Sequence, residues 1–201
     1  MEKILSFFSY FFHPIFTAVF ASLLYFTSCQ KHFDYQIVYL YLLQILLLTV
    51  FIPLGFFYFL IAMGNIDSIM VTKVSQRKIP LVIHIVLLVV LIKKSITVEN
   101  IPELYYFLLG CLVSSLMALA LVYFNIKSSL HMLGIAGLTI FYIGLNLHFN
   151  LQNYFGIVLI LLCNGLVASS RLQMKAHNYK ELFLGYLVGI IPQILLLWYW
   201  L

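Results

Sequence analysis

Residues 37–63, IVYLYLLQILLLTVFIPLGFFYFLIAM, form a long apolar run that contains no charged side chain. As an α-helix this run is longer than the roughly 20 residues that cross the hydrocarbon core of a bilayer. Runs of similar length and composition occupy residues 4–27, 105–124 and 182–201. The sequence therefore predicts that each of these four segments is a membrane-spanning helix.

The composition of the whole chain agrees with this prediction. Of its 201 residues, 64% are hydrophobic and only 8% are charged, whereas soluble domains carry about 25% charged residues. Three shorter runs, at residues 79–92, 132–147 and 154–168, are also predicted to be helices, although at ~15 residues their complete crossing stays open. We predict one integral membrane domain over residues 1–201, an all-α polytopic helix bundle with about six or seven transmembrane helices.

The charged residues are few and lie mostly between the predicted helices. The net charge of +5 is small and dispersed, so no nucleic-acid-binding surface is expected. Residues 65–80, 125–131 and 169–181 follow the second, fourth and sixth predicted helices, so alternation of the helices places all three segments on one side of the membrane. Because ionisable groups are costly in a bilayer, this concentration of cations and histidines predicts an anion-binding pocket.

Spacing within the first two segments favours phosphate as the anion. Lys73 and Arg77 are four residues apart, and on one helix face two cations repel each other unless an anion lies between them. Ser129 and His131 lie where a new helix is predicted to begin, and the free N–H groups of a helix N-terminus bind phosphate well. Both patterns indicate a site for phosphoryl transfer.

The third segment contains the pattern S-R-x5-H-x3-E, formed by Ser170, Arg171, His177 and Glu181. The spacing of four lets Glu181 hold one imidazole nitrogen of His177 while the other acts as a nucleophile or base. The pattern resembles the third motif of the type 2 phosphatidic acid phosphatase and haloperoxidase superfamily, S-R-x5-H-x3-D, with Glu181 in place of the aspartate.

The other two motifs of that superfamily, P-S-G-H and K-x6-R-P, have looser counterparts. Ser129 and His131 keep the serine and histidine of the former without its proline and glycine. The first segment has cations before Pro80 without the family's spacing, so Lys73, Arg77 and Lys78 all stay candidates.

A short integral-membrane branch of the superfamily, found in Bacteroidota, is especially similar. Its members begin with an aromatic-rich F-H-P, which is matched here by Phe12-His13-Pro14. They also carry a K-x-S-x-H-M-x-G motif, which is matched by residues 127–134, KSSLHMLG. The resemblance therefore extends over nearly the whole chain, although about twenty positions carry it.

The resemblance implies a role for each of these residues. His177 would attack phosphorus to form a phosphohistidine, Glu181 would orient His177, and His131 would protonate the leaving alkoxide and then activate water. The phosphate would be bound by Lys73, Arg77, Lys127, Ser129 and Arg171. Lys127 could equally be an interfacial residue that extends its amine to water. No metal ion and no cofactor are implied, because the cations would neutralise the phosphate charge.

The implied substrate is a lipid phosphate in the surrounding membrane: phosphatidic acid, phosphatidylglycerophosphate or a polyprenyl diphosphate. The resemblance also implies a bacterial inner membrane with an outward-facing site. The sequence indicates no oligomeric state. The principal alternative is a catalytically silent membrane scaffold that binds phospholipid headgroups or a protein partner. His13, His32, His84 and His148 are interpreted as structural residues.

Overall fold

The computed structural model describes residues 2–29 and 33–201. These residues form nine α-helices and no strand, which confirms the all-α prediction. The helices are α1 (Glu2–Phe11), α2 (Thr17–Ser28), α3 (Tyr35–Leu46), α4 (Ile52–Ala62), α5 (Lys78–Lys94), α6 (Pro102–Tyr123), α7 (Leu130–His148), α8 (Tyr154–Gln173) and α9 (Tyr179–Leu197). Short 3-10 turns lie at Pro14–Phe16 and Ser75–Arg77, and a π-helical turn at Leu47–Phe51 joins α3 to α4.

Six of the described segments are long and apolar enough to cross a membrane. They are Tyr35–Ala62, Ser75–Lys94 and the helices α6, α7, α8 and α9. The segment Leu5–Phe11 with Pro14–Ser28 adds a seventh if this bent pair is counted as one span. The predicted polytopic bundle of six or seven helices is confirmed, and the three shorter apolar runs all extend to spanning length because polar residues continue their ends.

The first predicted span, over residues 4–27, is not one continuous helix. The structure bends by 45° between Leu5–Phe11 and Pro14–Ser28. His13 is extended at ψ 138°, which is the conformation favoured before a proline, and its side chain accepts a hydrogen bond from the Ile15 N–H at 3.3 Å. The bend allows α1 to pack against α8 instead of continuing along α2.

Helix α7 occupies the centre of the bundle and packs most extensively against α9. The contact is close because Gly185 and Gly189 of α9 face the backbone oxygens of Ser129 and Leu133, where a Cβ atom would clash. The G-x-x-x-G spacing of these glycines is typical of closely packed membrane helices. It fixes the start of α7 against the start of α9, where the candidate site lies.

The opposite end of the bundle is held by a buried carboxylate. Glu103, at the start of α6, accepts a hydrogen bond from the Tyr25 hydroxyl at 3.1 Å, and its other oxygen lies 3.3 Å from His148 Nε2. These contacts connect α2, α6 and α7. His148 thus takes part in a structural contact, as interpreted from the sequence, whereas His32 lies outside the described residues.

Candidate functional site

Besides His84 of α5, five basic side chains line one cavity at the end of the bundle where α5, α7 and α9 begin. They are His13, Arg77, His131, Arg171 and His177, and together they define what is called here the basic cavity. Its empty volume is about 990 Å³, part of which is open to the exterior. Since all three predicted segments contribute to this lining, the expectation that they meet on one side of the bundle is confirmed.

His177 and Glu181 form the contact that their spacing predicts. His177 Nδ1 lies 2.7 Å from Glu181 Oε2. Because an ionised carboxylate only accepts hydrogen bonds, Nδ1 carries the proton and Nε2 of the neutral ring keeps its lone pair. The imidazole is thus oriented with one nitrogen available as a nucleophile or base.

Glu181 is itself held in place by Asn178, which caps the N-terminus of α9. The Asn178 side chain accepts a hydrogen bond from the Glu181 N–H at 2.9 Å, and its amide donates to Glu181 Oε1 at 3.3 Å. Sequence reasoning missed Asn178, although the spacing N-x-x-E at a helix start is a known capping pattern. Both oxygens of the orienting carboxylate are therefore fixed.

The surroundings of His177 keep its imidazole uncharged at neutral pH. Burial lowers the pKa of His177 to about 4, the hydrogen bond that its Nδ1–H donates to Glu181 opposes this shift, and the positive charges of Arg77, Lys127 and Arg171 reinforce it. A neutral imidazole is the form that can attack phosphorus.

Arg171 is a buried cation that has no acidic partner within the described part of the chain. Only 2% of the residue is exposed, and its Nη1 lies 3.9 Å from the sulfurs of Met70 and Met174. Its Nε has no hydrogen-bond partner, and among the described residues no carboxylate lies within ion-pair distance. A buried charge without a partner costs several kcal/mol, so this arrangement is suited to binding an anion.

Arg77 is a second buried guanidinium in the same cavity. Its Nε donates to the Val71 carbonyl at 3.0 Å and its Nη1 to the Ser128 carbonyl at 2.7 Å. These neutral acceptors orient the group without neutralising it. Val71 adopts a left-handed φ of 35°, a conformation that costs about 1–3 kcal/mol for a non-glycine residue and that tends to occur at functional sites.

Lys73, by contrast, does not line the basic cavity. Its Nζ pairs with Asp67 at 2.8 Å and its side chain is 65% exposed. The expectation that Lys73 and Arg77 share a helix face is wrong, because Lys73 precedes the 3-10 turn Ser75–Arg77 and lies outside any helix. Lys78 lies over the Tyr123 ring at 4.8 Å. Of the three candidates in this segment, the structure brings Arg77 alone to the cavity.

Lys127 and Ser129 lie beside Glu181 rather than on the cavity lining. Lys127 Nζ donates to the Ala176 carbonyl at 2.7 Å and lies 3.7 Å from Glu181 Oε2. Ser129 is fully buried, and its hydroxyl caps α7 by accepting the Met132 N–H at 3.4 Å. These contacts position the start of α7 against α9, and direct binding of phosphate by either residue stays a prediction.

His131 and His13 face each other in the cavity, with ring centroids 5.2 Å apart. His131 Nε2 lies 3.0 Å from the Ser9 carbonyl and therefore carries a proton, which leaves Nδ1 of the neutral ring as an acceptor. His13 Nδ1 accepts the Ile15 N–H, so its Nε2 carries the proton. Sequence reasoning interpreted His13 as structural, although the motif Phe12-His13-Pro14 could have indicated it.

The link between Arg171 and His177 is short and well defined. The Lys175 N–H bonds to the Leu172 carbonyl at 2.9 Å and the Ala176 N–H to the Arg171 carbonyl at 3.1 Å, while Lys175 has a left-handed φ of 52°. This is the Schellman arrangement that ends many helices. Because the chain turns directly after α8, Arg171 and His177 line the same cavity.

Comparison of this chain with protein-family models, with curated proteins and with solved structures finds no match. The basic cavity contains an oriented imidazole with one free nitrogen and two buried guanidiniums. This combination can bind a tetrahedral oxyanion and attack its central atom.

Proposed function

We propose that the protein is a membrane-embedded, metal-independent lipid phosphate phosphatase that acts through a phosphohistidine intermediate. The observation that supports this proposal is the pairing of His177 with Glu181 in a cavity that also holds Arg77 and Arg171. Binding alone needs the cations, whereas an imidazole oriented and kept neutral by its surroundings is needed for nucleophilic catalysis.

The reaction proceeds in two displacements. His177 Nε2 bonds to phosphorus as the bond from phosphorus to the lipid oxygen breaks, and the protonated form of His131 gives its proton to that oxygen. Water then bonds to phosphorus as the bond between phosphorus and His177 Nε2 breaks, and its proton goes to His131, so that inorganic phosphate is released and both histidines are restored. Arg77 and Arg171 stabilise the charge on the phosphoryl oxygens, which is the main source of catalysis in phosphoryl transfer.

The proposed substrate is a phosphate monoester or diphosphate of a lipid. The cavity is also lined by apolar side chains of α4 and α5, including Phe57 and Leu81. A lipid can place its headgroup among the cations and its tail between the helices. We place the protein in a bacterial inner membrane with the site outward, as the family resemblance implies.

A second candidate function is a silent scaffold that binds phospholipid headgroups. It is favoured by the exposed position of Lys73 and by the capping role of Ser129, which leave fewer phosphate ligands than the family pattern contains. In that case the cavity binds the headgroup but leaves the phosphate ester intact.

The test is release of inorganic phosphate from phosphatidic acid by the purified protein in detergent, with EDTA present. We expect turnover that His177→Gln abolishes, because no covalent intermediate can form without the imidazole. Lys180→Gln, a change at an exposed residue of the same helix start, serves as the control. Phosphate release that persists in folded His177→Gln would contradict the mechanism, and lipid binding without any turnover would favour the scaffold.

A further inference from the structure

His84 is a polar residue of the cavity that the proposed mechanism does not use. It lies on α5, seven residues after Arg77, and both side chains line the same cavity with Leu81 between them. Seven residues complete about two helical turns, so Leu81 and His84 of α5 continue a stripe about 10 Å long that starts at Arg77, in the 3-10 turn just before the helix.

The position of His84 is unusual for an ionisable side chain. It lies at the middle of the apolar segment Ser75–Lys94, and no hydrogen bond joins its ring to another of the described residues. Ionisable residues within membrane spans are rare and generally face a cavity with a function. Ser115, a polar side chain of α6, also lines the cavity.

The two side chains differ in what they can offer to a ligand. The Ser115 hydroxyl donates its hydrogen to the Cys111 carbonyl at 2.8 Å, so it can only accept. A neutral imidazole always carries one N–H, so His84 can donate. The cavity therefore has a hydrogen-bond donor, His84, about two helical turns along the chain from Arg77.

We propose that His84 forms a second polar subsite, which donates a hydrogen bond to an ester carbonyl of a glycerolipid whose phosphate is bound by Arg77 and Arg171. This proposal rests on the proposed function and narrows its substrate class to glycerophospholipid phosphates such as phosphatidic acid. A glycerophospholipid has its ester carbonyls one glycerol unit beyond the phosphate. A polyprenyl chain has only hydrocarbon there, and would leave the imidazole without a partner in an apolar site.

The test compares diacyl phosphatidic acid with its dialkyl ether analogue, which has the same phosphate and chains but lacks the carbonyls. We expect the wild-type kcat/KM to be about fivefold higher for the ester, the ratio that one hydrogen bond supports. His84→Phe should remove this preference, because it lowers kcat/KM for the ester and leaves kcat/KM for the ether unchanged. His84→Gln keeps a hydrogen-bond donor and should retain part of the preference. Thermal unfolding of each variant shows that it is folded.

Equal rates on the two lipids, or a preference that survives in folded His84→Phe, would overturn the subsite. Dissociation constants for the same two lipids separate this inference from the proposed function. If neither lipid is hydrolysed, the phosphatase proposal fails, and about fivefold tighter binding of the ester still supports the subsite, whereas equal binding overturns it. Turnover of a polyprenyl phosphate as fast as that of phosphatidic acid would also contradict it.

Discussion

The guanidinium of Arg171 remains charged in its buried position, because arginine is not deprotonated in proteins. Its neighbours are two methionine sulfurs rather than a carboxylate. Arg77, in the same cavity, is bonded to two uncharged carbonyls. The charges of both residues are therefore available to a bound phosphate. Each planar guanidinium can also form two parallel hydrogen bonds to phosphate oxygens, which a lysine cannot do.

We expect the imidazole of His177 to titrate at a much lower pH than an ordinary histidine. Its pKa of about 4, lowered first by burial, lies well below the ordinary 6.5. NMR titration of imidazole nitrogens should show, for His177, a signal with a midpoint near 4, assigned by its absence from His177→Gln. A midpoint near 6.5 for this signal would contradict the described environment.

The lowered pKa of His177 also makes the free energy of unfolding depend on pH. Between pH about 4 and 6.5 the unfolded chain binds a proton at His177 that the folded chain does not. The contribution of His177 to the free energy of unfolding therefore falls as the pH is lowered from about 6.5 to about 4, and is constant below that range.

The candidate residues could be predicted to different degrees. The spacing of Arg171, His177 and Glu181 was enough to predict that they lie near one another, because the short turn between their two helices can adopt few conformations. Lys73 was wrongly placed because its position relative to Arg77 depends on a bend and a 3-10 turn that spacing does not reveal. The sequence could not predict that His13 lies beside His131, because the two residues are far apart in the chain and only the fold brings them together.

At the element scale, the site depends on how closely α7 and α9 approach. The Ser129 N–H donates to the Glu181 carbonyl at 3.0 Å across this interface. Gly185 faces the Ser129 backbone, so the absence of a side chain there permits the contact. The G-x-x-x-G spacing could be predicted from the sequence, but its partner helix could not, because every helix here is apolar on most of its surface.

Gly189→Ala should therefore destabilise the protein, because its Cβ would meet the Leu133 carbonyl and the helices would have to separate. We expect a loss of about 1–3 kcal/mol, typical of overpacking, measured by thermal unfolding in detergent. Gly165→Ala on α8 is the matched control, since nothing lies within 4 Å of its Cβ position. It should stabilise the helix by up to about 1 kcal/mol. Equal unfolding temperatures for the two variants would contradict the described packing.

At the scale of the whole molecule, the basic cavity is assembled from parts of the chain that are distant in sequence. The bend at His13, the starts of α5 and α7, and the end of α8 each contribute a side chain. Composition and run length were enough to predict the membrane bundle. They could not predict the break before Pro14, because an apolar run with one proline is compatible with either a kinked span or two separate segments.

The bend has a consequence for the whole site, because α1 reaches the cavity only through it. Ser9 on α1 hydrogen-bonds to Ser170 Oγ at 2.6 Å, and its carbonyl holds His131 at 3.0 Å. The N-terminal segment thus helps to fix both the last turn of α8 and the proposed general acid. A straight first span would place these groups elsewhere.

The central claim is that His177 forms a covalent bond to phosphorus, and the stereochemistry of the reaction tests it most directly. A lipid thiophosphate made chiral at phosphorus with ¹⁶O and ¹⁸O can be hydrolysed in H₂¹⁷O, and the configuration of the released thiophosphate determined. Each of two successive in-line displacements inverts the configuration at phosphorus, so the phosphohistidine mechanism predicts overall retention of configuration. Inversion would show a single direct attack by water and would contradict the role assigned to His177.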